Sequence, residues 1–320
     1  MSIANNLLDL YTNTDAALKH CNEKLAEKRV GTAATLYEVA DKITTLKADY
    51  GKLIDGTVTK VEMNQYKNDG TWLENIRPYA FYECKDLETV RLHLWIKTIG
   101  DYAFYDCPSM NLTNDDTNIY AIGNYAFYGC SNLTRVPYGG ITLETIGDYA
   151  FYGCTKLKSI SLYYSSDLKM GSHAFEECTG IETLEGRNYA YAEDVEIGSY
   201  AFKNCTNLTT IVEAQVSKLG DYAFDGCTKL TKAEFNHRPR FGVGTFRNCS
   251  SLNTLIIRSI GNWNEVLETA DSLFEGTPIA QGTGYIYLPS SVISSLQSAS
   301  GWSQFASQIR AIEDYPEITE

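Results

Sequence analysis

The stretch Ile146-Gly147-Asp148-Tyr149-Ala150-Phe151-Tyr152-Gly153-Cys154-Thr155-Lys156-Leu157-Lys158-Ser159-Ile160-Ser161-Leu162 recurs, with small changes, down most of the chain. Cysteines in this register stand at 84, 107, 130, 154, 178, 205, 227 and 249, so the repeat is about 24 residues long. A ninth, degenerate unit ends at Leu273-Phe274-Glu275-Gly276-Thr277, and nine of the twelve phenylalanines share one register, from Phe81 to Phe274. Ala150, Phe151 and Cys154 are spaced for a short helical or 3₁₀ turn with one apolar face. Leu157, Ile160 and Leu162, with Ser161 between the last two, predict a short half-buried strand. One strand and one turn cannot close a core alone. Neighbouring copies must stack and share an apolar column, which is the logic of a solenoid. The glycine column from Gly100 to Gly242 marks either a positive φ or a close backbone approach.

The motif from Ile146 to Leu162 resembles the repeat of the BspA-like leucine-rich repeat family, with its Ile-Gly-x-x-Ala-Phe-x-x-Cys-x-x-Leu-x-x-Ile pattern. The resemblance covers roughly residues 70–289 in nine copies. It implies an α/β repeat, a leucine-rich-repeat solenoid of about nine 22–28-residue units, in a bacterial protein that serves as a surface-display scaffold. A fold of this kind carries many ligands, so it names no single activity.

Composition agrees with a folded chain. Of 320 residues, 44% are apolar and 21% charged, enough for a large core and unlike a disordered or collagenous sequence. The net charge of −13 is spread thinly. That disfavours nucleic acid and anionic membranes, both of which need clustered Lys and Arg. No apolar run reaches the ~20 residues of a membrane-spanning helix, and the first fifteen residues do not read as a signal peptide.

The two ends differ from the repeats. Leu7, Tyr11, Thr14, Leu18, Cys21 and Leu25 follow a heptad seam. Thr35 with Glu38 forms a capping box ahead of Leu36, Val39, Ala40, Ile43 and Leu46 on one helical face. Residues 1–50 are expected to form a helical hairpin, serving as a cap on the first repeat or as a self-association module through residues 1–28. Residues 31–43 also resemble short helical modules of phage structural proteins. Residues 51–70 are a connecting segment with a strand candidate at Val58–Val61, and residues 71–289 form the solenoid. Tyr285–Leu288 is a final strand stopped by Pro289, and in residues 290–320 Val292, Leu296, Trp302, Phe305 and Ile309 predict a helical C-terminal cap.

Candidate chemistry is sparse. Eight of the nine cysteines are in register, which points to buried thiols acting as small hydrophobes, since side chains in a ladder point the same way. The histidines His20, His93, His173 and His237 fall far apart. No nucleophile and base, paired carboxylates, metal cluster or phosphate loop is visible, so no enzyme and no cofactor is expected. Asp115-Asp116 lacks the ligand spacing of a calcium loop.

Tyrosine is the unusual signal. Six tyrosines from Tyr79 to Tyr222 precede the Ala-Phe pair, and Tyr82, Tyr105, Tyr128 and Tyr152 follow it. If Ala, Phe and Cys face inward, the second set faces out as a stripe of phenols suited to recognition, or simply covers the turn. Arg91, His93, Ser161 and Glu234 alternate with apolar strand residues and should line the outer sheet face. Insertions at 111–118, 163–167, 185–196 and 262–267 should share one edge of the solenoid, often the binding edge. The expected function is a non-enzymatic interaction or adhesion protein that binds a protein or glycan at the cell surface. The alternative is a phage or prophage structural or receptor-contact protein assembled through its N-terminal helices, and without a signal peptide a virion or cytoplasmic address stays open.

Overall fold

The computed structural model describes residues 60–62, 74–92, 94–113, 118–137, 143–161, 167–186, 195–237, 239–258, 272–299 and 301–318. The expected N-terminal hairpin lies outside the described residues, as does most of the connecting segment. The strand expected at Val58–Val61 is seen as Lys60–Glu62.

The chain winds as a parallel β-solenoid of about nine coils, with repeats of about 23 residues. Each regular coil supplies two strands, where the sequence predicts one. The first series has two residues per strand: Asn75–Ile76, Thr98–Ile99, Ala121–Ile122, Thr145–Ile146, Lys169–Met170, Glu196–Ile197, Lys218–Leu219 and Arg240–Phe241. They pair in parallel as one eight-stranded sheet. The second series is split. Lys60–Glu62, Thr89–Arg91 and Asn111–Leu112 form a three-stranded sheet. A seven-stranded sheet runs from Ser159–Ser161 through Thr183–Glu185, Thr210–Ala214, Lys232–Phe235, Thr254–Ile257 and Tyr285–Leu288 to Ile309–Ala311. Within each strand the inward residue is apolar, as Ile76, Ile99, Ile122 and Ile146 show.

The link from the first strand to the second is neither strand nor helix, which corrects the expected helical turn. In the coil around Phe151, alternate N–H groups bond in alternate directions. Those of Ala150, Tyr152 and Cys154 donate to carbonyls of their own coil at 3.1–3.4 Å, while those of Tyr149, Phe151 and Gly153 donate to the next coil at 2.7–2.9 Å. The alternation follows from left-handed residues at both ends of the turn, Tyr149 at φ 55° and Gly153 at φ 70°. A helix cannot run through such positions. Every backbone donor in the buried turn is thereby satisfied.

The glycine column answers to close approach. A Cβ at Gly100, Gly123, Gly147, Gly171, Gly198, Gly220 or Gly242 would stand 2.4–2.5 Å from backbone atoms of the preceding coil. The residue after the glycine closes the gap between coils: Oδ1 of Asp101 accepts from the backbone N–H of Asn124, Asn124 Oδ1 from Asp148, and Asp148 Oδ1 from Ser172, at 2.7–2.8 Å.

Inside, nine phenylalanine rings stack along the axis from Phe81 to Phe274, with centroids 4.9–6.1 Å apart. The eight column cysteines are buried and unbridged. From Cys107 onward each Sγ–H donates to the phenylalanine carbonyl of the preceding coil, as from Cys154 to Phe127 (3.1 Å) and from Cys178 to Phe151 (2.9 Å). A thiol thus fills a small apolar site and satisfies a carbonyl across the coil boundary. Burial pushes the Cys130 thiol up to about 12 and the Cys154 thiol well above its ordinary value, so these groups stay neutral.

At the C-terminal end, helix α1 (Ser290–Gln297) follows Pro289 and buries Val292 and Leu296. Trp302 and Phe305 meet Phe274 edge-on, at 6.4 and 5.3 Å, and end the stack. Ile309, expected in the helical cap, instead lies in the strand Ile309–Ala311, which pairs with Tyr285–Leu288. The cap extends the sheet as well as covering it.

Candidate binding surface

The two connections of each coil divide the surface. The link from the first strand to the second carries the tyrosines. The insertions fall in the return link of the sequence, but their centres at 114–117, 162–166, 187–194 and 259–271 lie outside the described residues, and so does the edge they were expected to share.

The phenol edge holds two ladders. Tyr79, Tyr102, Tyr125, Tyr149, His173, Tyr200 and Tyr222 stack with centroids 4.4–5.1 Å apart. Beside them Tyr82, Tyr105, Tyr128 and Tyr152 stack at 4.7–4.9 Å. Both sets are half-buried. The first set stands at φ 55–59°, a left-handed conformation that a bulky residue adopts at a cost of roughly 1–2 kcal/mol. Ring stacking on both sides and a backbone bond to the next coil offset that cost. Parallel stacking hides the ring faces within the ladder, so the surface presents ring edges and a row of hydroxyl tips. Burial, and then neighbouring phenols and carboxylates, raise the pKa of Tyr105, Tyr125 and Tyr152. The row is neutral and can both donate and accept hydrogen bonds.

Past Tyr152 the same column continues as Glu176, Lys203, Asp225, Arg247 and Glu275. Nζ of Lys203 lies 2.9 Å from Glu176 Oε1, and His173 Nδ1 bonds the other oxygen of Glu176. Arg247 grips Asp225 with Nε at 3.2 Å and Nη2 at 2.8 Å. The two cations also lie over the first ladder, Lys203 at 5.5 Å from the Tyr200 ring and Arg247 at 4.5 Å from Tyr222. This charged continuation was missed in the sequence, although its register is plain there.

The remaining candidates lie on the strand face and are not brought together. Arg91 is exposed at the end of Thr89–Arg91, and Ser161 is half-buried at the end of Ser159–Ser161. Glu234 sits six coils beyond Arg91, about 29 Å along the axis at ~4.8 Å per coil. Glu234 departs from expectation. Its strand position points outward, yet it is 2% exposed because Arg258 and Lys232 close over its carboxylate. His93 lies outside the described residues. Among the described residues no three His, Cys, Asp or Glu side chains converge as a metal site, and no helix is long and apolar enough to cross a membrane.

The family profile described as BspA type Leucine rich repeat region matches residues 74–195 and 192–297, in six copies. No curated protein matches the chain. Among solved structures, a leucine-rich repeat protein of T. pallidum is 23% identical, with 61% of this chain and 78% of that one covered and a TM-score of 0.46. A leucine-rich repeat protein of Bacteroides ovatus is 21% identical over 62% of this chain and 60% of its own, with a TM-score of 0.42. A leucine-rich cell surface protein of Faecalibacterium prausnitzii is 19% identical over 79% and 82%, with a TM-score of 0.28.

Proposed function

Because this chain belongs to the BspA-type leucine-rich repeat family, we infer that it is a non-enzymatic binding protein of the bacterial cell surface, the address printed for the F. prausnitzii protein. It engages a protein or glycan partner through its phenol edge. One observation carries this reading: Tyr82, Tyr105, Tyr128 and Tyr152 form a continuous, half-exposed row of stacked rings. Tyrosine supplies large contact area and a polar tip at low entropic cost, and the stack fixes the rotamers before a partner arrives. Arg91 and Ser161 extend the reading to the strand face as contacts for a partner that wraps the coil.

The test is binding of the fluorescently labelled full chain to intact bacterial and animal cells by flow cytometry, beside the Tyr105→Ser/Tyr128→Ser variant. Saturable binding that falls at least about tenfold in the variant supports the phenol edge. No saturable binding, or equal binding by both chains, overturns it. Protease shaving of native cells checks the address, and presence of the chain in purified phage particles with cells unshaved would replace this reading with the virion one.

A further inference from the structure

Seven coils place two core residues three and six positions after the column cysteine, as with Leu157 and Ile160 after Cys154 or Leu208 and Ile211 after Cys205. The second coil does not. After Cys107, Met110 comes at three but Leu112 at five, and both are buried. One outward-facing residue is therefore missing from this coil.

The second strand series breaks at the same place. Asn111–Leu112 ends the three-stranded sheet, Ser159–Ser161 begins the seven-stranded one, and the intervening coil belongs to neither. The Asn111 side chain bridges the break. Its Oδ1 accepts from the backbone N–H of Leu112 (2.9 Å) and of Thr134 (3.1 Å), and from Thr134 Oγ1 (3.0 Å). Above it opens a groove of about 590 Å³ whose lining includes Glu88, Thr89, Ser109, Ser131, Asn132 and Lys156. The lining spans four coils, or roughly 14 Å along the axis.

We propose that this groove is a saccharide-binding site that holds a short neutral glycan along the solenoid axis. Apart from the Pro108 ring, its lining is hydroxyl, amide, one carboxylate and one ammonium, with no aromatic side chain. The Thr89 and Ser109 hydroxyls can donate and accept, and Ser131, whose Oγ donates to the Pro108 carbonyl at 3.3 Å, can still accept, which matches sugar hydroxyls. Glu88 at one end can accept from two neighbouring hydroxyls. Lys156 at the other is held in place, its Nζ donating to Asn132 Oδ1 at 2.7 Å while Asn132 Nδ2 donates to the Ser109 carbonyl at 2.8 Å. The groove is open along its length, so a sugar would lie along it with one face to solvent. A peptide fits less well: its usual docking modes need a free sheet edge, an apolar groove, an aromatic-lined cleft or an arginine cluster. The groove lies in the same four coils as the phenol stripe but uses none of its residues, so it stands or falls apart from the reading above.

The experiment measures binding of cellotetraose, chitotetraose, maltotetraose and tetra-alanine to the full chain by calorimetry and ligand-observed NMR. The variants are Ser109→Trp, which fills the groove, Lys156→Ala, and insertion of one threonine between Asn111 and Leu112, which restores the common spacing. The expected result is binding of at least one sugar, weakened about tenfold or more by Ser109→Trp and by Lys156→Ala, with unchanged circular dichroism. The insertion has the same effect if it folds, and the two point variants decide the matter if it does not. Tyr105→Ser/Tyr128→Ser should leave sugar binding intact. Absence of sugar binding to the parent chain, sugar binding indifferent to Ser109→Trp, or tighter binding of tetra-alanine than of every sugar overturns the proposal. None of these outcomes bears on cell binding through the phenol edge.

Discussion

One column, read from either end of the solenoid, solves the same packing problem in two ways. In the first four coils the residue after the phenylalanine is Tyr82, Tyr105, Tyr128 and Tyr152, and like stacks on like. In the next four it is Glu176, Lys203, Asp225 and Arg247, and opposites alternate. The backbone beneath is the same, with a left-handed residue three positions before and a hydrogen-bonded turn around it. A parallel stack brings identical positions within ~4.8 Å of each other, so like charges there would repel. Neutral rings and alternating signs both avoid that repulsion. The neutral half packs ring on ring, while the charged half pairs its groups with one another.

The largest effect should strike both halves alike. The unfolded chain ionises its thiols as pH rises through about 9, whereas Cys130 in the fold resists to about 12. The unfolded state therefore releases protons first, and the stability supplied by the neutral thiol column, fully present at neutral pH, is lost between those values. Circular dichroism across an alkaline titration should show unfolding in that window, and a flat profile would mean the thiols are not buried as described. Next come Phe151→Ala and Phe224→Ala, one in each half, each costing ~3–5 kcal/mol by denaturant unfolding. A large inequality between them would break the claim of a common core.

Two smaller effects separate the halves. Arg247→Ala strips the cation from an Asp225 side chain that is only 5% exposed, so a loss of ~1–3 kcal/mol is expected. An Asp225→Ala/Arg247→Ala double-mutant cycle should recover part of that loss as a coupling energy. Tyr152→Ala should cost about 1 kcal/mol, the contribution of one stacked pair at the end of the phenol row. If Tyr152→Ala proves as costly as Phe151→Ala, the phenols belong to the core and the distinction between the two halves dissolves.

The features that repeat and are buried were legible in the sequence. Phe151 and Cys154 announce their column because the same buried pair returns coil after coil, with only Thr277 replacing the cysteine in the ninth. The short strands were not, since Thr145–Ile146 has two residues and two residues carry no period; Ile146-Gly147 reads as a turn. The left-handed tyrosines also escaped, because a bulky residue at φ 55° is held there by contacts with residues a whole repeat away. Ile309 fits a helical spacing after Trp302 and Phe305, yet the preceding strand captures it as a partner. Glu234 is expected on the outer face, but it is buried there by an arginine that lies 24 residues on. The residue missing after Cys107 can be counted in the sequence, but the groove was not read there, because its lining comes from four coils that only stacking brings together.

The edge-on seating of Trp302 and Phe305 against Phe274 gives the molecule a direction of growth. Each flat ring invites another flat ring, so a stack of this kind has no intrinsic length, and a duplicated coil of the tyrosine half would slot in without disturbing its neighbours. Rings turned through 81° and 89° refuse the next layer. They act as a full stop, so the number of coils is free to differ while the closing element stays the same.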